Sequence, residues 1–124
     1  MNGSSILIDS NIIIYLSKGI LSIDEVFEDE NEYYISLITY MEILSYTFGS
    51  IEEEQFIHKL LALFNIVDIT KEIAERVIIL KKSRKIKLPD AIIVSTALSF
   101  DYILLSNDRQ LSTINGLDVR YFDI

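Results

Sequence analysis

Hydrophobic positions along the chain follow two rhythms. Short β-branched and apolar runs at Ser5 to Ile8, Glu32 to Ser36 and Tyr102 to Leu105 read as strands, and Ile66 to Ile69 and Leu117 to Tyr121 are weaker runs of the same kind. Between them apolar residues recur at three-and-four spacing: Ile12, Ile13, Leu16 and Leu21, then Ile38, Met41, Ile43, Leu44 and Phe48, then Phe56, Ile57, Leu60, Leu61 and Phe64, then Ile73, Val77, Ile78 and Leu80. Each set is one face of a helix. Thr70 ahead of Glu72 and Glu75 predicts a helix start, because a hydroxyl accepts from a free N–H and carboxylates suit the positive end of the dipole. Residues 91 to 98 are apolar nearly all round and follow Pro89-Asp90, which predicts a central buried helix. Strands alternating with helices predict an α/β fold, a parallel sheet covered on both faces with right-handed crossovers.

Length and composition narrow this picture. A chain of 124 residues, 50% hydrophobic, is expected to be one domain over residues 1–124 with a core of its own. It has no internal repeat or linker, and with only 4 Gly and 1 Pro nothing divides it. With 0 Cys it has no disulfide framework and no thiolate zinc site, so a reducing, cytoplasmic compartment is expected. The first residues carry no basic leader and the run Ile6-Leu7-Ile8 stops at Asp9, so neither a signal peptide nor a membrane association is expected. The 11 Lys+Arg against 19 Asp+Glu, net −8, argue against a protein that coats duplex DNA, which must neutralise phosphates. A local contact with a nucleic acid remains allowed.

Ligands of open parallel sheets bind beyond the carboxyl ends of the strands. Asp9 follows the first strand directly, and Asp108 follows Leu104-Leu105 by way of Ser106-Asn107. Glu42 lies in the first turns of the helix after the second strand, and Asp90 opens the buried helix. Each also has an ordinary structural role. Asp9-Ser10-Asn11 is turn chemistry, Thr39 to Glu42 matches a capping box, and Asp90 and Asp108 can cap or face helix starts. Together on one edge they would be costly, since two carboxylates ~5 Å apart repel by roughly 3 kcal/mol at an effective dielectric near 20. Such a cluster calls for a cation or a trapped proton, and hard oxygen donors favour Mg²⁺ or Mn²⁺.

The segments Ile-Leu-Ile-Asp9-Ser10-Asn11, Ser-Leu-Ile-Thr-Tyr-Met-Glu42, Leu88-Pro89-Asp90-Ala91-Ile92-Ile93 and Leu-Leu-Ser106-Asn107-Asp108 together resemble the four motifs of PIN-domain nucleases, and most closely the small VapC-type toxins of toxin–antitoxin pairs. The resemblance implies a three-layer α/β/α fold around a mainly parallel sheet of four to five strands. It implies a metal-dependent ribonuclease in which Asp9, Glu42, Asp90 and Asp108 are the acidic quartet holding Mg²⁺ or Mn²⁺, supported by Asn11 and Ser106. It also implies 5′-phosphate and 3′-hydroxyl products, an RNA substrate, a small antitoxin partner that blocks the site, and a homodimer. Ser10 stands where Thr is common in the family and Leu111 where an aromatic is frequent.

Lys81 to Lys87 hold five cations in seven residues immediately before Asp90. They read either as a solvated helix end or as a phosphate patch, with Lys82, Arg84 and Lys85 as contacts to the RNA backbone. His58 is expected at the surface, which leaves no histidine pair for a metal-free route through the ribose 2′-hydroxyl. Tyr33, Tyr34, Tyr40 and Tyr46 read as core and interface residues. Two alternatives stay open at this point. One is a PIN-like module that binds RNA or protein without cleaving. The other is a receiver-type signalling domain, although the single Asp after the first strand and the absence of a late-strand Lys disfavour it.

Overall fold

The computed structural model describes residues 3–122. Met1 and Asn2, the start of the segment read for a leader, lie outside the described residues, as do Asp123 and Ile124. Five strands, β1 (Ser5–Ile8), β2 (Glu32–Ser36), β3 (Asn65–Val67), β4 (Ile103–Ser106) and β5 (Val119–Tyr121), form one sheet in the order β3-β2-β1-β4-β5. Every pairing is parallel. The helices are α1 (Ser10–Ser17), α2 (Ile23–Val26), α3 (Leu37–Leu44), α4 (Ile51–Leu61), α5 (Lys71–Ser83) and α6 (Leu88–Phe100), with a 3₁₀ turn over Arg109–Thr113. The three-layer α/β/α expectation and the strand count hold. The strand ends differ by a residue or two from the sequence reading, and α2, a single turn closed by a capping box between Ser22 and Glu25, was not legible in the apolar pattern.

The period-two alternation of β1 separates the two halves of the core. Ile6 and Ile8 pack with Ile12, Ile13, Ile35, Ile43 and Ile57 on the α1/α4 side, whereas Leu7 packs with Ile93, Val94, Ala97 and Leu104 on the α6 side. All of these are buried, and each large aliphatic side chain taken from water contributes roughly 1.5–3 kcal/mol. Helix α6 is buried continuously from Ala91 to Ala97, because the sheet lies on one side of it and α5 on the other. It ends where Asp101 adopts a left-handed conformation (φ 56°), one that Asp tolerates better than most residues.

This connectivity places β1 and β4 side by side although the chain reaches β4 only after crossing from the β3 edge. The crevice between their carboxyl ends is the topological switch point, where open α/β sheets bind ligands.

Candidate active site at the β1/β4 switch point

Asp9 immediately follows β1 and is 8% exposed. Its Oδ1 accepts from the Ser10 N–H at 2.8 Å, capping α1, and its Oδ2 accepts from the Ser106 hydroxyl at 2.7 Å. Ser106, the last residue of β4 and fully buried, in turn accepts from the Asp108 N–H at 3.1 Å. One hydroxyl thus ties the end of β1 to the peptide carrying the next acid. Asp108 caps the 3₁₀ turn, its Oδ1 accepting from the Gln110 N–H at 3.0 Å. Asp90 lies in the first turn of α6, behind Pro89.

Electrostatics couple the three. Burial pushes the Asp9 carboxyl above the usual carboxylate range, and Asp90 and Asp108 push it the same way, against the opposing hydrogen bonds from Ser106 and the Ser10 N–H. Asp90 is likewise raised by burial and by Asp108, with Lys87 pulling it back. The fold therefore holds three carboxyl groups where their ionised forms repel one another.

Glu42 is placed differently. The Ser10 hydroxyl donates to its Oε1 at 2.9 Å and lies 3.1 Å from the Thr39 hydroxyl. The capping box that was the alternative role for Thr39 and Glu42 does not form. Helix α3 starts earlier, at Leu37, with Ser36 as its cap, so Thr39 is already inside the helix and fully buried. Glu42 is thereby turned toward the end of β1. Asn11 is exposed on α1 and makes no side-chain hydrogen bond among the described residues. The side chain that links Asp9's strand end to Glu42 is Ser10, a residue whose sequence neighbours point to turn chemistry and not to this contact.

Asp90 and Asp108 line an open cleft of about 720 Å³ together with Lys81, Arg84, Lys85 and Lys87, whereas Asp9 and Glu42 do not line it. Lys82 is exposed and does not line it. His58 is exposed on α4 and does not line the cleft. Of the tyrosines, Tyr33 is buried in the core, while Tyr46 is 53% exposed beside a separate groove of about 250 Å³ next to Phe48.

The model for the PIN domain matches residues 6–117. The chain belongs to the PIN domain family. Several solved chains share its architecture. A toxin-antitoxin complex from Klebsiella pneumoniae contains a chain 35% identical to this one, with TM-score 0.72 over 95% of this chain and 98% of that chain. VapBC-1 from nontypeable Haemophilus influenzae matches at 25% identity and TM-score 0.74, covering 94% and 97% of the two chains. DNA-bound VapBC from Salmonella typhimurium matches at 18% identity and TM-score 0.80, covering 95% and 98%, a likeness of fold. A comparison with curated protein sequences found no match. The receiver-domain alternative is thereby set aside.

Whether this PIN domain suits a divalent cation depends on its donors. All are carboxylate or hydroxyl oxygens, and the mutual repulsion of Asp9, Asp90 and Asp108 is what a cation would relieve. Among the described residues no three Asp, Glu, His or Cys side chains close around one point as a ready-made cage. Mg²⁺ does not require one: it keeps several waters and is commonly held by one or two carboxylates plus substrate phosphate. The residues fit an ion bound in that open fashion.

Proposed function

We propose that this PIN domain is a Mg²⁺- or Mn²⁺-dependent endoribonuclease and the toxin of a toxin–antitoxin pair. The observation that carries the reading is that Asp90 and Asp108 line a cleft whose other wall is basic, while both act electrostatically on the buried Asp9 at the end of β1. PIN domains are generally nucleases using divalent metals, which supports the same conclusion.

In this reading the cation would be held by one or two of Asp9, Asp90 and Asp108 together with water and substrate phosphate, with Glu42 as the fourth acid of the set. When bound, the cation supplies a water of lowered pKa and positive charge to offset the scissile phosphate. The chain's own residues do the rest. Ser106 and the Ser10 N–H keep Asp9 in one rotamer, and Ser10 aims Glu42. Lys85 and Lys87 bring positive charge to the cleft for the phosphodiester backbone. The acidic surface elsewhere, within a net charge of −8, restricts nucleic-acid contact to that cleft and offers a basic antitoxin its complement. The solved relatives are toxin–antitoxin complexes, which supports an antitoxin as partner. A homodimer and a cytoplasmic setting belong to the same proposal, and among the described residues no helix is long and apolar enough to cross a membrane.

The test is a titration of purified protein with Mn²⁺ while following Tm, then incubation with total RNA with and without EDTA. A ligand that binds only the folded state raises stability by RT ln(1 + [L]/Kd). A rise in Tm together with EDTA-sensitive cleavage is expected, and Glu42→Gln should lose cleavage while keeping the fold. No Tm shift together with EDTA-insensitive cleavage would overturn the metal reading. RNA binding without cleavage at any cation concentration would identify a non-catalytic module instead.

A further inference from the structure

Arg84 was legible in the sequence only as one more cation of a basic run. In the structure its guanidinium reaches across to the segment that follows β4. Nη1 donates to the Thr113 hydroxyl at 3.0 Å and Nη2 approaches the Thr113 carbonyl at 3.4 Å. The Thr113 hydroxyl donates onward to the Gln110 carbonyl at 2.9 Å, and the Gln110 N–H donates to Asp108 Oδ1 at 3.0 Å. Arg84 is itself anchored, because its N–H caps α5 by donating to the Leu80 carbonyl at 3.1 Å. The loop that follows is pinned to α5 by Lys81 Nζ on the Ile86 carbonyl at 2.7 Å. This loop leads directly into the first turn of α6 and Asp90.

We propose that Arg84 is a positioning residue, which ties the Asp90 side of the cleft to the Asp108 side through Thr113 and the main chain of Gln110. The inference rests on the divalent-cation reading above and deepens it. Asp90 and Asp108 belong to segments that share no strand pairing: one opens α6, the other a five-residue 3₁₀ turn. Both acids line one cleft, so its width depends on how the two segments are held relative to each other. The Arg84–Thr113 link holds that width by joining the C-terminal end of α5, just before the loop to Asp90, to the last residue of the 3₁₀ turn that Asp108 caps. Its two-donor geometry on a single residue is one that Arg supplies and Lys does not. The link is exposed, so its effect is on the spacing of the acids far more than on global stability.

The experiment uses Arg84→Ala, Thr113→Val and Thr113→Ser, with Mn²⁺ affinity measured by calorimetry and Tm recorded in EDTA. Thr113→Val removes the hydroxyl and leaves every charge in place. The expected result is that Arg84→Ala and Thr113→Val each weaken Mn²⁺ binding about three- to tenfold, on the scale of one net hydrogen bond. The double variant should be no worse than either single change, since both break one chain. Thr113→Ser should retain wild-type affinity, and Tm in EDTA should scarcely move. Wild-type affinity in Thr113→Val, or fully additive losses, would overturn the clamp. So would Arg84→Ala lowering the salt dependence of binding to a short single-stranded oligoribonucleotide while Thr113→Val leaves Mn²⁺ affinity untouched, because Arg84 would then be a backbone contact. A wild-type protein that binds no Mn²⁺ would instead remove the metal reading itself, and this shows before any variant is made.

Discussion

The two ends of the central strands are built from opposite chemistry. Toward the amino ends, Tyr34 of β2 and Tyr102, just before β4, stack across β1 with ring centroids 4.5 Å apart, and Phe100 extends the stack at 5.3 Å. The polar groups there are paired without crowding charge. The Tyr34 hydroxyl donates to Glu32 at 2.8 Å, which holds its proton and raises its pKa to about 12. The Ser4 N–H donates to Asn31 at 2.8 Å. Gly3 lies so close to the Glu30 carbonyl that no Cβ could be accommodated without a shift of main chain. At the carboxyl ends the same strands deliver Asp9 into a buried position beside two further carboxyl groups. The two ends of a parallel sheet are not equivalent, because the switch-point crevice and the starts of the following helices lie at the carboxyl ends, and the residues placed there deepen the contrast. One end is held by stacked rings and by hydrogen bonds that satisfy each polar group, and the other places a buried carboxyl group beside two more.

The sharpest way to break this contrast is Asp9→Asn. It should reduce cation-dependent cleavage by at least ~100-fold, more than loss of an outer support to a metal ligand costs, while Tm in EDTA stays level or rises. A fall in metal-free stability would mean that Asp9 is retained for the fold. Tyr102→Ala makes the reciprocal cut. Loss of the stack should lower stability by about 2 kcal/mol, read by chemical denaturation, with Mn²⁺ affinity unchanged.

A smaller effect follows from pH. Asp9 and Asp90 have folded-state pKa values raised above those of the unfolded chain, so the native state takes up protons where the unfolded chain has already released them. Their contribution to stability is fully present below the unfolded value and is lost as pH rises through the raised folded values. Melts in EDTA should show Tm rising as pH falls from neutral into that window, with a flatter profile in Asp9→Asn. The smallest change expected is in the salt dependence of RNA binding in EDTA. Lys85→Ala and Lys87→Ala should each reduce its slope by ~0.7 log unit, whereas Lys82→Ala, outside the cleft, should not.

Much of the framework was legible in the chain. The strand runs, the Thr70 cap of α5 and the buried run of α6 are local patterns that tertiary packing reinforced, and the structure has them close to where periodicity put them. The placement of Asp9 and Asp108 at strand ends followed from the same patterns. The reading of Thr39 to Glu42 failed because a capping box is defined by where a helix starts, and the buried hydroxyl of Ser36 starts α3 three residues earlier. Lys82, Arg84 and Lys85 were equivalent as sequence, since a run of cations says nothing about which side chains face a cleft.

By itself, then, the sequence determined the α/β layering and which acids end strands or open helices, because those depend on spacing along one segment. The tertiary structure decided what those residues meet. Ser10 reaches Glu42 across 32 positions and Ser106 reaches Asp9 across 97, while Arg84 finds Thr113 across 29. Such partners are selected by strand order and helix packing. The parallel crossover that brings β4 beside β1 is what turns separate local caps into one charged site.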